Sequence, residues 1–235
     1  MASEPRFFVL LRDDLRKPHD TEFVPALGFE TGDFPRCPKC GKGIGQRDWL
    51  PPFKLEIAVH GKEGAGDFAE CAGSLLISER MAAAFRSERL TGLEAFHPVE
   101  VVKMNARANR LGIPRYLHVE VTYGRAAVDE ARSRIRRVKP IECEECRRTD
   151  VDAIHGFRIQ PGTWDELDVF RPRGLQADIL VSERFADFVQ RHGFTNIKLV
   201  PTEQFVWDPL RKGPPAEAAR TQMKSSTMNA SADED

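Results

Sequence analysis

No stretch of the 235-residue chain approaches the ~20 consecutive apolar residues that a membrane-spanning helix needs. The run from Phe7 to Leu11 is met at once by Arg12, Asp13 and Asp14, so it also falls short of the ~7–15-residue core of a secretory signal. An excess of one charge is missing too. With 35 Lys and Arg against 36 Asp and Glu the formal net charge is −1, which excludes a global basic field for nucleic acid and an acidic one alike. The usual marks of catalysis are absent. Gly61 to Gly66 contains Lys62 but has neither the phosphate-loop spacing nor a following Ser or Thr, and there is no Gly-x-Ser-x-Gly or His-Glu-x-x-His. The six histidines (His19, His60, His97, His118, His155 and His192) are scattered and read as surface or strand-packing residues. The expectation is that the protein is not an enzyme. Cysteine is scarce: five residues, an odd count without a secretory context, which points to a reducing cytoplasm.

Four of those five are paired in a way that packing does not explain. Cys37-Pro38-Lys39-Cys40-Gly41 and Cys143-Glu144-Glu145-Cys146 each separate two thiols by two residues, a spacing that turns the backbone around one metal ion. Gly41 lets the chain take a positive φ after the second thiol, while backbone amides point back at sulfur. One pair is half a tetrahedral site. The two together make a four-cysteine set for a structural Zn²⁺ at Cys37, Cys40, Cys143 and Cys146. Pairs in zinc ribbons are commonly separated by ~15–20 residues; the wide gap here implies a site that ties together two separate regions. Several alternatives stay open: a redox dithiol, free structural thiols or a degenerate site that has lost its metal, or two separate sites completed by His60 or His155. Cys71 is the unpaired cysteine, and it reads as filler of a small apolar space.

The chain also repeats itself. Leu75-Leu76-Ile77 runs into Ser78-Glu79-Arg80, and Ile179-Leu180-Val181 runs into Ser182-Glu183-Arg184, 104 positions later (78 to 182). In each, Ser caps a helix through its hydroxyl, with Glu favourably near the helix N-terminus. Gly92 and Gly193 are the expected stops. The cysteine pairs recur at nearly the same offset, 106 positions (37 to 143). Two features at one offset predict an α+β fold that is internally duplicated, with two related strand–helix–strand halves tied by the four-cysteine zinc site. The body is residues 1–211, half one about 1–110 and half two about 111–211; residues 212–235, rich in Pro, Ala, Ser and Thr, read as a disordered tail. Arg6 to Leu11 is expected as an edge or initial strand, and strands are expected at Phe53 to Val59 and Tyr116 to Tyr123 from their period-two alternation. Residues 12–36 read as irregular connection, Leu93 to Val102 as extended but interrupted by Pro98, and Phe157 to Phe170 as the second copy's counterpart of the strand at 53–59.

Arg132, Arg134, Arg136, Arg137 and Lys139 form a basic run before the second cysteine pair. It reads as a solvated face, since aromatics are not interleaved as a nucleic-acid strip requires. Trp49, Trp164 and Trp207 read as core anchors, or as binding hot spots where exposed.

With the Cys37-Pro38-Lys39-Cys40-Gly41 motif, the second Cys-x-x-Cys and the Ile179-to-Arg184 phrase, nearly the whole chain before the tail resembles the double-CXXCG motif proteins, a paralogous family of myxobacteria. That family is similar to immunity proteins of polymorphic toxin systems. The resemblance implies a binding protein without chemistry of its own, whose partner is a cognate protein toxin. The chain departs from the pattern at Arg147, which stands where the motif has Gly, and this weakens the expectation of a regular turn at the second pair. The alternative to an immunity protein is a zinc-ribbon-like regulatory or nucleic-acid-binding adaptor using the basic run; a thiol-redox enzyme is a third reading.

Overall fold

The computed structural model describes residues 4–13 and 18–215. Strand β1 (Phe7–Arg12) is buried on both faces: Phe7 and Val9 join Ile154, Phe157 and Phe170, while Leu10 joins Phe68, Phe85 and Phe188. That double burial is why its sequence is a continuous apolar run. The segment expected to be irregular contains a strand, β2 (Thr21–Pro25), antiparallel to β3 (Lys54–Val59). Thr21 and Phe23 point inward and Glu22 and Val24 outward. Pro25 is tolerated because β2 is an edge strand.

Strands β4 (Phe68–Cys71) and β5 (Ser74–Ser78) form a hairpin that feeds helix α1 (Glu79–Ser87). Ser78 caps α1 by accepting from the Met81 amide at 3.1 Å, and the helix buries Met81, Ala82 and Phe85. It ends earlier than Gly92, since Arg89 already takes φ +52°. The stretch around Pro98 is two strands, β6 (Leu93–Pro98) and β7 (Glu100–Met104), which part into different sheets. A short helix the sequence reading missed, α2 (Ala106–Leu111), is capped by Asn105 and followed by Gly112 at φ +74°.

Strands β8 (Tyr116–Val121) and β9 (Tyr123–Ala127) follow, then β10 (Ile135–Arg137) and β11 (Val151–His155). The expected strand over Phe157 to Phe170 does not form. Apart from an isolated bridge at Ile159 the chain turns, with Trp164 Nε1 donating to the Leu167 carbonyl at 3.0 Å, and β12 (Val169–Arg173) begins only afterwards. Strand β13 (Leu180–Ser182) leads into α3 (Glu183–His192), capped by Ser182 and closed by Gly193 in the left-handed region. Strands β14 (Ile197–Pro201) and β15 (Val206–Trp207) complete the described chain. Among the described residues no helix is long and apolar enough to cross a membrane.

Four sheets result, and two of them share a plan. One runs β4-β5-β8-β6; the other contains β12-β13-β1-β14, extended by β9. Within those four-strand runs every pairing is antiparallel. The registers match: Phe7 lies opposite Ser182 as Tyr116 lies opposite Ser78. Strand β8, expected in the second half, thus lies in the sheet of β4, β5 and β6, and β1, expected in the first, lies in the sheet of β12, β13 and β14. Of the remaining sheets, β2-β3-β7 packs into a cluster with β4, β5 and β8, and β10-β11-β15 into one with β1, β9, β12 and β13.

A second exchange accompanies the first. Asp67 accepts from Ser78 Oγ at 2.7 Å and from Arg80, and also from the amide and hydroxyl of Thr195 in the other half. Asp168 accepts from Ser182 Oγ at 2.8 Å and from Arg184, and also from the amide and hydroxyl of Thr91. Arg80 reaches the His192 carbonyl and Arg184 the Glu88 carbonyl. Asp67 therefore holds the loop after α3, and Asp168 the loop after α1. Between them α1 and α3 pack face to face, with Phe85 6.3 Å from Phe188 and 6.4 Å from Phe185.

Asp168→Ala leaves these donors unpaired and lowers unfolding free energy by about 2–3 kcal/mol, against about 1 kcal/mol for Ser182→Ala, both readable from urea melts. Burial pushes the Asp67 carboxyl up, but the bonds from Arg80, Ser78 and Thr195 outweigh it and hold the group below its ordinary value of 3.8. Its contribution is therefore full above that value and is lost as pH falls through the folded value. The acid limb of stability against pH flattens in Asp67→Asn.

Candidate metal centre

The first cysteine pair sits on a tight hairpin. The Cys37 amide donates to Lys42 O at 2.8 Å, the Gly41 amide to Cys37 O at 2.9 Å, and the Ile44 amide to Pro35 O at 2.8 Å. The second pair repeats the turn, with the Arg147 amide donating to Cys143 O at 2.7 Å. Arg147 adopts φ +51°, close to the +72° of Gly41, so the missing glycine does not disrupt the turn. What offsets the strain is the side chain. Arg147 Nη1 donates to Val128 O at 3.1 Å and Gln160 Oε1 at 2.9 Å. The Cys146 carbonyl is held by the Gly174 amide and the Gln176 side chain.

These turns bring Cys37, Cys40, Cys143 and Cys146 together with all four sulfur atoms within 4.8 Å of one another. Cys37 Sγ lies 3.9 Å from Cys143 Sγ, and Cys40 Sγ 3.7 Å from Cys146 Sγ. Four thiols so placed could hold a metal ion. Cys40 is exposed and the other three are buried. In each pair the first sulfur receives backbone amides from the residues that follow it. Those of Cys146 and Glu145 lower the Cys143 thiol to about 7; at Cys37 burial opposes, but the amides of Cys40 and Lys39 prevail and the thiol is lowered. Burial raises the Cys146 thiol to about 12. Lys42 joins Glu142 at 2.6 Å, adding an ion pair between the two loops.

The other candidate residues lie elsewhere. Cys71 is buried with Leu76 and Tyr116, its thiol pushed up to about 12, as suits an apolar filler. His60 faces Glu22 and His155 faces Asp208, so neither joins the cysteines. The basic run is largely spoken for: Arg132 forks onto Glu4 at 2.8 and 2.9 Å, Arg137 bonds Glu130 and Gly174 O, and Arg136 holds the carbonyls of Lys212, Gly213 and Pro214. This leaves little free charge for phosphate and shows the first residues of the expected tail pinned to β10; residues 216–235 lie outside those described. Trp49 is buried and Trp164 half-buried, but Trp207 is 45% exposed. Sequence reasoning missed Gln176 and Gly174 at the centre, which no local spacing marks.

The model of an immunity protein family, Imm11, matches residues 12–204. No curated protein matches the chain.

The strained turn gives an ordering to test. Arg147→Ala keeps the left-handed strain and loses two hydrogen bonds, costing about 2 kcal/mol of stability, whereas Arg147→Gly relieves the strain and costs about half of that. Chemical denaturation of the three proteins checks the order wild type, Gly, Ala.

Proposed function

The chain belongs to the Imm11 immunity protein family, and from that premise we propose that it binds a cognate protein toxin in the cytoplasm and neutralises it by occlusion, without turnover. The family match over residues 12–204 is the observation that carries this reading. Inhibition of this kind needs tight binding, nanomolar or better, about −12 kcal/mol. Co-expression with the toxin encoded beside this gene tests it. Protected cells and an isolable complex are expected; equal killing with no complex overturns the reading.

The four cysteines are assigned one structural Zn²⁺. Ligands at the usual Zn–S length of ~2.3 Å leave tetrahedral sulfur–sulfur edges of about 3.8 Å, which the 3.9 and 3.7 Å separations support. Bound there, zinc adds folding stability, because its ligands meet only in the folded chain. The matched sheets and the reciprocal Asp67 and Asp168 networks support internal duplication, with repeats of about 1–110 and 111–211 that exchange their first strands.

Cys40→Ser releases the metal and lowers the melting temperature, while Cys71→Ser leaves the metal in place. Elemental analysis with thermal melts distinguishes them. A wild-type protein fully folded without metal contradicts the assignment.

A further inference from the structure

Among the described residues Arg171 is the arginine that is buried, 8% exposed, yet without a carboxylate within ion-pair distance. Its Nη1 donates to the carbonyls of Gln176 at 3.1 Å and Ala177 at 3.2 Å, and the remaining guanidinium N–H groups find no acceptor among the described residues. A buried charge left this way is unfavourable, so its retention calls for a counter-ion from outside. Tyr123 is its neighbour across the parallel β9–β12 ladder. The Tyr123 hydroxyl, likewise without a hydrogen-bond partner among the described residues, lies over Gly45, where a Cβ would collide with it. Burial raises the phenol, so it remains a neutral donor.

Both side chains line a cavity of about 330 Å³ and a smaller one of about 190 Å³ that reaches Cys37 and Cys146. A third hollow of about 460 Å³ shares Gln46 with the first and Ile44 and Gln176 with the second, and it ends at exposed Trp207. The three hollows share lining residues around the loop after the first cysteine pair. Asp48, Glu94 and Glu120 line the same cavity, so an anion approaching Arg171 meets repulsion at the rim, smaller for a single carboxylate than for a doubly charged phosphate. Asp178 and Glu70 feel the field of Arg171, but neither makes an ion pair or hydrogen bond with it among the described residues.

We infer that Arg171, with Tyr123 beside it, receives the carboxylate of an Asp or Glu side chain of the partner toxin; this rests on the immunity reading. Arg, Tyr and Trp are the residue types that dominate protein interfaces, and this face presents all three. A charge pair completed only on binding, at a desolvated guanidinium, acts on the lifetime of the complex.

The probe is the toxin encoded beside this gene, catalytically inactivated, titrated by calorimetry against the full chain. Arg171→Met weakens binding by at least about 30-fold, and Arg171→Lys, which keeps charge but loses the fork, by about tenfold. Should the Met variant lose its fold, judged by circular dichroism and metal content, Tyr123→Phe decides: it removes an oxygen with no internal bond and weakens binding about fivefold. Wild-type affinity in Arg171→Lys and Tyr123→Phe overturns the inference and leaves the immunity reading standing. A wild-type chain that does not bind the toxin sinks both.

Discussion

The fold depends on a crossing. Neither four-strand run is contiguous in sequence: β1 completes the sheet of β12, β13 and β14, and β8 that of β4, β5 and β6. Such long-range pairing covers hydrogen-bonding edges that would otherwise be open. The buried aspartates work in the same direction, since each accepts two bonds from a threonine in the loop after the other sheet's helix. Packing of α1 against α3 then needs no further device to fix its geometry, because both helix starts and both following loops are already tied to the same two carboxylates.

The cysteine centre is a third cross-tie, a small cluster apart from the three larger apolar clusters. The cluster around Cys37, Cys143 and Cys146 has only Ile44 as an apolar neighbour. A metal there would supply cohesion that apolar burial does not, and the two loops that carry the thiols are built as matched turns, including the arginine held in a glycine's conformation. The face that flanks the centre is shaped by the same loops. Ile44 and Gln46 leave the first cysteine turn and become walls of the hollows that contain Arg171 and Trp207. Structural and binding roles therefore meet in one short segment.

Much of this was legible in the sequence because it is locally encoded. The cysteine pairs carry their own spacing, and the two Ser-capped helices begin where serine meets an apolar run. Strand β3 shows its period-two alternation openly. Most of what could not be read was non-local. One miss was local: Pro161-Gly162 marks a turn, with Gly162 at φ +76°, so residues 157–168 do not run on as a strand and β12 begins at Val169. Strand β2 hid between prolines because its only pairing is with β3, far along the chain. The basic run looked like a free surface until Glu4, Glu130 and the carbonyls after Arg211 were found upon it. Arg171 gave no signal at all, since its isolation is a property of what does not approach it.

The central claim is that thiols from both cysteine pairs share one ion. X-ray absorption at the zinc edge of the purified protein tests it most directly. The account predicts one zinc per chain, surrounded by four sulfur atoms at ~2.3 Å with no nitrogen or oxygen ligand. A first shell of two sulfurs completed by lighter atoms would mean that the pairs bind separately and would contradict the shared centre, as would protein that carries no metal at all.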